Sequence, residues 1–454
     1  MSFSPKWAAG LVAALLLGIV FRLAWPDDIE YKMDEFYTFA KTRSLLTGAP
    51  LPGDTGSPWL GMPTSKGFQN TAMSLWVFYP LALLPGADTP PGLARGVQLC
   101  NIAAILLLLA FVLRCLKDRE REWWLWAIAL VCVNPFAVLF ERKIWPPCTL
   151  PLMMVVFLIC WRSRPTRLGA FFWGLLGILA AQIHMAGFFY AGAFFLWTLA
   201  YDRRRAAWLW WGAGTFLGAI PMAPWLIYMA HYMAGTGAQA AQGAQTSHAA
   251  FMVWKRPFTN HFWVQWISEP FGLGLDYSLG WTDFFNFLRH PFIGSHATYG
   301  VALLQVAALF LAVCILGAGF RHWWQNRARW RENWKNDHAT FTPAVLQAGF
   351  WFYGILLTIS FLRFERHYLI VAFPLVLLWA AKIALPADAT DKRWSAGRRL
   401  LLALCVVNAL VSFLFLDFIH TNGGAPQGDY GVPYGSSENA FRNAVIPPPK
   451  TTLE

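Results

Sequence analysis

A chain of 454 residues that is 57% hydrophobic, 17% aromatic and only 13% charged, with a mean hydropathy of +0.42, carries about half the charge of a water-facing globular surface, for which roughly 25% is usual. A soluble enzyme and a disordered tail are both excluded. The net charge of +12 does not point to nucleic acid either, because Lys and Arg stand at the ends of long apolar runs and form no groove-facing cluster.

A bilayer core of about 30 Å needs about 20 mostly apolar residues per helix. Runs over 8–26, 95–115, 123–140, 148–162, 168–183, 185–200, 206–230, 298–320, 341–362, 367–385 and 399–418 predict an all-α polytopic membrane protein of about eleven transmembrane helices. Residues 70–87 are apolar as well, but Pro80 and an aromatic cluster interrupt them, so an interfacial helix is expected there. Charge supports this reading. With the N-terminus inside, the cytoplasmic loops hold 21 Lys and Arg against 8 Asp and Glu, a net of +13, and the other side keeps −1. That division obeys the positive-inside rule, and a twelfth span at 70–87 would put four basic clusters outside. The first span follows Lys6 and has no small-residue cleavage site after it, so it reads as an uncleaved anchor. Seven cysteines without a C-x-x-C pair suggest neither disulfides nor zinc. The 26 tryptophans suit the aromatic belts at the two interfaces.

The expected organisation is a catalytic membrane module over 1–232 that includes an outer loop at 27–94. A long outer loop follows at 233–297, then the last spans over 298–418 and an outer tail over 419–454. Long loops of this kind are usually functional. The first has five acids in nine residues, Asp27, Asp28, Glu30, Asp34 and Glu35. The spacing of Phe36, Phe39, Ala40 and Leu46, with Lys41 and Arg43 on the opposite face and Gly48 as a stop, predicts a helix over 34–47. Asp34 reads as its N-cap or as a carboxylate at the membrane surface able to take a proton from a hydroxyl.

Cations on the same side supply a second half. Lys66 precedes the interfacial segment, Arg142 and Lys143 follow Glu141, and Arg363, Arg366, His367 and Tyr368 lie between the ninth and tenth spans. Each cation could simply snorkel to lipid head groups, and together they suit a phosphate or diphosphate, which Arg binds bidentately and Lys as a point charge. His184, near Gln182, reads as an interhelical histidine or a ligand. In the aromatic segment FMVWKRPFTNHFWVQW, and just past it, His261 and Glu269 are weaker candidates on an acceptor surface or lid. The chain has no phosphate-loop, H-E-x-x-H or G-x-S-x-G motif. Its cytoplasmic loops are too short for a nucleotide-binding domain, so any donor is expected to be membrane-borne.

The first span followed by MDEFYTFAKTRSLLTG, the segments SKGFQNTAMSLWVFYPLALLPG and FERKIWPPCTLPLMMVVF, and RFERHYLIVAFPLVLLWA resemble the GT-C fold glycosyltransferases. The nearest branch is the protein O-mannosyltransferase and lipid A aminoarabinose transferase superfamily, among its bacterial members. The tail GGAPQGDYGVPYG also resembles a segment found in some of them. The likeness covers about the first 200 residues well and the rest loosely. It departs at Lys66-Gly67, where the aminoarabinose branch has Lys-Pro-Pro. It departs again at Trp145-Pro146-Pro147, where the family often carries a second acid, a role that would be absent here or moved to Glu141.

The resemblance implies sugar transfer from a polyprenyl-phosphate carrier to a glycan, lipid or protein acceptor, with inversion, at the periplasmic face of a bacterial inner membrane. The N-terminus would be cytoplasmic and the C-terminus periplasmic. Asp34 would be the general base, with Glu35 orienting it or the acceptor, while Lys66, Arg142, Lys143 and Arg366 would stabilise the leaving phosphate. Membrane lipids are expected partners and nucleic acid is not. The sequence identifies no cofactor; a divalent metal is compatible with the family pattern, and the missing second acid leans slightly against one. The competing readings are a transporter or flippase for a lipid-linked glycan, and a polymerase or ligase of one.

Overall fold

The computed structural model describes residues 5–49, 57–63, 68–242, 260–329, 340–360, 364–386, 391–428 and 430–436. Helix α1 (Pro5–Leu23) is followed by a 3-10 turn at Pro26–Asp28 and by α2 (Met33–Thr47). An antiparallel ladder, β1 (Leu60–Pro63) with β2 (Gln69–Thr71), leads to the one-turn helices α3 (Met73–Trp76) and α4 (Tyr79–Ala82). Eight helices come next: α5 (Pro90–Cys115), α6 (Asp118–Val133), α7 (Pro135–Phe140), α8 (Leu150–Arg162), α9 (Arg167–Ile183), α10 (Met185–Tyr201), α11 (Trp208–Ala219) and α12 (Ala223–Gln242). The second long loop contains α13 (His261–Ser268), α14 (Leu275–Leu279), α15 (Trp281–Arg289) and a ladder of β3 (Phe292–Ile293) with β4 (His296–Ala297). After α16 (Gly300–Asn326), α17 (Phe341–Leu346) runs through a π turn into α18 (Tyr353–Ile359). A 3-10 segment at Arg366–Ala372 precedes α19 (Leu375–Ala384) and α20 (Asp391–Asn422).

The described residues of the eleven apolar runs are mostly helical, but five helices, or six with one bent pair, reach far enough to cross a membrane. Pro90–Cys115, Trp208–Ala234, Gly300–Asn326, Phe341–Ile359 and Trp394–Asn422 are each long and apolar enough to cross a membrane. Arg366–Ala372 and Leu375–Ala384 meet that test only as a pair bent by 76°. Ala8–Leu23, Pro146–Arg162, Arg167–Ile183 and Met185–Tyr201 are apolar and shorter. Where one interfacial helix was expected over 70–87, a short apolar helical stretch forms over Met73–Ala82, divided into α3 and α4. Pro80 has no N–H to continue a hydrogen-bond ladder, so the run breaks into single turns that lie against α2 and α5.

Helix α6 is the centre of the bundle. Trp124, Ala127, Ile128 and Leu130 are all fully buried, and α1, α5, α19 and α20 pack around them. From Trp123 onward the helix is apolar all round and belongs in such an interior. The Trp124 indole N–H donates to Thr342 Oγ1 at 2.7 Å, and Glu122 accepts from both Arg398 nitrogens at 2.6 and 2.7 Å. These bonds fix one end of α6. Helices α9 and α11 cross closely because small residues meet there. A Cβ on Gly174 would lie 2.2 Å from the Trp211 carbonyl oxygen, and one on Gly214 would lie 1.9 Å from that of Phe171. Small residues at such crossings let backbones approach within a membrane. Outward, α11 and α16 leave Leu209, Phe216, Leu303 and Phe310 exposed, the surface that lipid covers.

Candidate functional site

The first turn of α2 separates two adjacent acids. The N-cap is Lys32, whose backbone N–H donates to Glu35 Oε2 at 3.3 Å. Asp34 is therefore the second helical residue and not the cap read from the sequence. Successive residues on a helix point about 100° apart, so Asp34 is exposed while Glu35 is buried. Gly48 ends the helix in the left-handed conformation, at φ 70°. The inward face of α2 differs from expectation. It carries Glu35, Thr38, Lys41 and Thr42, whereas Phe36 and Phe39 are only half-buried. Lys41 donates to the Gly61 carbonyl at 3.1 Å, and Thr42 to that of Thr38 at 2.6 Å. A polar stripe turned inward suits a site better than a core.

Glu35 joins a buried ionic cluster. The Glu30 carboxylate, 1% exposed, receives the Lys32 ammonium at 2.7 Å and also that of Lys143, which arrives from the turn after α7. Burial, with the Glu30 charge beside it, pushes the Glu35 carboxyl up to about 8, against the pull of Lys143. Burial also works against the Lys143 ammonium, yet Glu30 and Glu35 hold its pKa above the ordinary lysine value. Glu35 thus makes stability depend on pH. Between pH 4.5 and about 8 the folded chain keeps a proton that the unfolded chain has released. That contribution is complete below the unfolded value and is lost as pH rises through the folded one, with a slope approaching about 1.4 kcal/mol per pH unit. Melting in detergent should show the wild type losing stability across this window, with Glu35→Gln nearly flat. Parallel curves for the two proteins would contradict the assignment.

The neighbours of Lys143 have other tasks. Glu141 accepts from Arg22 at 2.6 Å, and the same guanidinium donates to the carbonyls of Gly18, Val131 and Cys132 at 2.9 to 3.0 Å. The carbonyl bonds clamp α1 to α6, and the buried pair ties α1 to the end of α7. Arg142 donates to the carbonyls of Phe21 at 2.6 Å and Trp25 at 2.9 Å, satisfying groups that the end of α1 leaves open. Arg366 forms a fork with Glu269, with one arm at 2.9 Å, and donates to Ser278 Oγ at 2.5 Å, so the second long loop is tied to the start of the 3-10 segment.

Between the two ionic groups lies an aromatic nest. Lys143 sits over the Phe140 ring at 4.7 Å. The Trp145 ring lies 4.6 Å from His367, which lies 5.2 Å from His184, and His184 lies 5.3 Å from Tyr368. His184 Nδ1 accepts from the Ala186 N–H at 3.2 Å and so caps α10. The structure therefore gathers Glu30, Glu35, Lys143, Trp145, His184, His367 and Tyr368 at one end of the bundle. Arg366 and Glu269 stand together beside the nest, and Asp34 lies on the outer surface of α2. His261 begins α13 and is exposed. Lys66 and Arg363 lie outside the described residues. Glu30, Lys32, Arg22 and Ser278 carry no role in the sequence reading. Glu30 shows only as one of the five clustered acids of the first loop, with Lys32 two residues on.

Among the described residues no three His, Cys, Asp or Glu side chains converge as metal ligands. Glu141, to which the family's second acidic role would have passed, is paired with Arg22. The described donors do not fit a divalent metal.

No protein-family model and no curated protein sequence matches the chain. Among solved structures, the chain is similar to the oligosaccharyltransferase of Archaeoglobus fulgidus, crystallised with an acceptor peptide containing the NVT sequon tethered by a disulfide bond. The TM-score is 0.48 at 12% identity, over 98% of this chain and 58% of that one. The chain thus spans little more than half the length of that enzyme, and a likeness at this level assigns no family.

Proposed function

We propose that this chain is a membrane glycosyltransferase that moves a sugar from a polyprenyl-phosphate carrier to an acceptor hydroxyl on the periplasmic face of a bacterial inner membrane. The observation that carries the reading is the meeting of the first-loop acids with Lys143, next to an exposed Asp34. Asp34 takes the acceptor proton. The acceptor oxygen bonds to the anomeric carbon, and the bond from that carbon to the phosphate oxygen breaks. The electron pair leaves with the lipid phosphate, and the anomeric configuration inverts. Lys32, half-exposed at 43% of its side chain, and Lys143 place positive charge beside that phosphate, help of the kind that often dominates catalysis. Lys66 keeps its proposed place as a further phosphate ligand. Arg142 and Arg366 serve by holding α1 and the second long loop.

The bent pair Arg366–Ala372 and Leu375–Ala384 favours a second reading, transport of a lipid-linked glycan, because transporters place broken helices at their binding sites. One assay separates the two. Purified protein in proteoliposomes receives a polyprenyl-phosphate sugar labelled in the sugar, together with a cell-envelope extract that supplies glycan, lipid and protein acceptors. A transferase releases unglycosylated polyprenyl phosphate in step with labelled product. Movement of intact donor between leaflets, without release, would replace the transferase reading by transport.

A further inference from the structure

We propose that the C-terminal segment of residues 425–428 and 430–436 is a strap that positions Glu30 and seals the Glu30–Lys143 cluster; its catalytic consequence rests on the transferase reading. Helix α20 ends at Asn422, and Gly423 and Gly424, at φ 64° and 111°, turn the chain back toward the site. Only glycine adopts this pair of conformations without strain. The loop closes on itself, with the Ala425 N–H donating to the Gly431 carbonyl at 2.9 Å and the Gly431 N–H to the Ala425 carbonyl at 3.2 Å.

The returning segment then pairs antiparallel with the first loop around Glu30. The Tyr31 N–H donates to the Val432 carbonyl at 3.1 Å, and the Tyr434 N–H to the Ile29 carbonyl at 2.9 Å. Glu30 and Pro433 face each other in the bridge. The residues on both sides of Glu30 are thus fixed by the strap, and the Tyr31 and Tyr434 rings meet edge to face at 5.2 Å. Without it, the described backbone bonds that hold residues 29 and 31 are gone, and a buried carboxylate facing a buried ammonium keeps its geometry only while its backbone is held.

The same strap reaches the second ionic group. The Tyr430 N–H donates to the Ser278 carbonyl at 2.9 Å, while the Ser278 hydroxyl accepts from Arg366. The Tyr430 hydroxyl donates to the Asp28 carbonyl, and its buried ring lies 5.9 Å from Phe415. Gly428 is what allows this approach, since a Cβ there would lie 2.2 Å from both the Ser278 oxygen and the Leu279 carbonyl carbon. Both contacts are backbone and cannot move aside as a flexible side chain would. The strap therefore links the first loop, the second loop and the end of α20, and Tyr430 is its positioning residue.

The test uses the full-length protein in detergent, with Gly428→Val to lift the strap and a chain ending at Gly424 to remove it. Both changes lie beyond the last helix. Lys143, 4% exposed, is probed with a membrane-impermeant sulfo-N-hydroxysuccinimide ester and peptide mass spectrometry, and the Tyr31 amide by hydrogen exchange. Labelling and exchange should each rise by about tenfold or more, as expected when a segment opens locally while the rest stays folded. The pH midpoint assigned to Glu35 should fall from about 8 toward 4.5 as water reaches the carboxyl, while the amides of α6 keep their wild-type protection, which general loosening of the bundle would remove. Folded variants with Lys143 unlabelled and the Tyr31 amide still protected would overturn the proposal. If neither variant folds, the wild type decides it. On warming, Lys143 labelling must follow Tyr31 exchange, and labelling that comes first would overturn the strap. No readout here is sugar transfer, so this failure and that of the transferase reading are told apart.

Discussion

Lys143→Met should destabilise the protein by about 3–5 kcal/mol, the range seen when one partner of a buried ion pair is removed. Glu30 would then be left 1% exposed with only Lys32 to face it, and Lys32 is itself half in water. The neighbouring Glu35 would lose the one buried cation that opposes its own rise in pKa. Two carboxyl groups in an apolar pocket resolve this by taking up protons, so the loss should be larger at pH 8 than at pH 5. The check is a double-mutant cycle by thermal or denaturant unfolding in detergent. Glu30→Gln combined with Lys143→Met should recover a good part of the loss, because replacing both charges removes the uncompensated one. Additive losses would show that Lys143 acts by packing on Phe140 and Trp145 and not through Glu30.

Asp34→Asn should lower sugar transfer by on the order of 10²–10⁴, the usual contribution of a positioned general base, with a stability loss of no more than about 0.3–1 kcal/mol from the charge removed at the helix N-terminus. The reason for so small a loss is local. Asp34 is exposed, and the cap of α2 is made by Lys32 and Glu35, so the amide removes no described hydrogen bond. This separates it from Glu35→Gln, which should alter stability and its pH dependence first. Near-normal turnover by folded Asp34→Asn, measured as label transferred from the polyprenyl-phosphate donor, would remove the base assignment and move attention to Glu35. A carboxyl held up to about 8 is well matched to proton transfer near neutral pH.

Helix α2 shows how far the pattern of residues can be read. A helix over 34–47 is legible from periodicity, and Met33–Thr47 forms. Its inward side is not legible, because a period says which residues share a face but not what that face meets. The apolar stripe of Phe36 and Phe39 would turn inward in an ordinary globular domain. Here the interior beside α2 contains Lys143 and Glu30, toward which Glu35 turns, while the buried Lys41 meets the Gly61 carbonyl. Arg142 and Lys143 show the same limit. Read as adjacent cations they form a cradle, but neighbouring side chains in a turn diverge, and one caps α1 while the other meets Glu30. Glu141 looks like a spare acid until Arg22, inside the first apolar run, is seen to hold it.

The residues alone determined the membrane class and the presence of acids and cations in the segments between the apolar runs. These follow from composition and from short-range pattern, which the bilayer and the helix period impose wherever the chain is folded. Only the tertiary structure decided which acid meets which cation. Glu30 with Lys143, Glu269 with Arg366, and Glu141 with Arg22 are pairs distant in the chain. Coulomb attraction depends on the distance and burial that packing creates, and neither is written in the order of residues. The acids and cations of the first and second long loops take their meaning from these buried pairs and from the strap that closes over one of them.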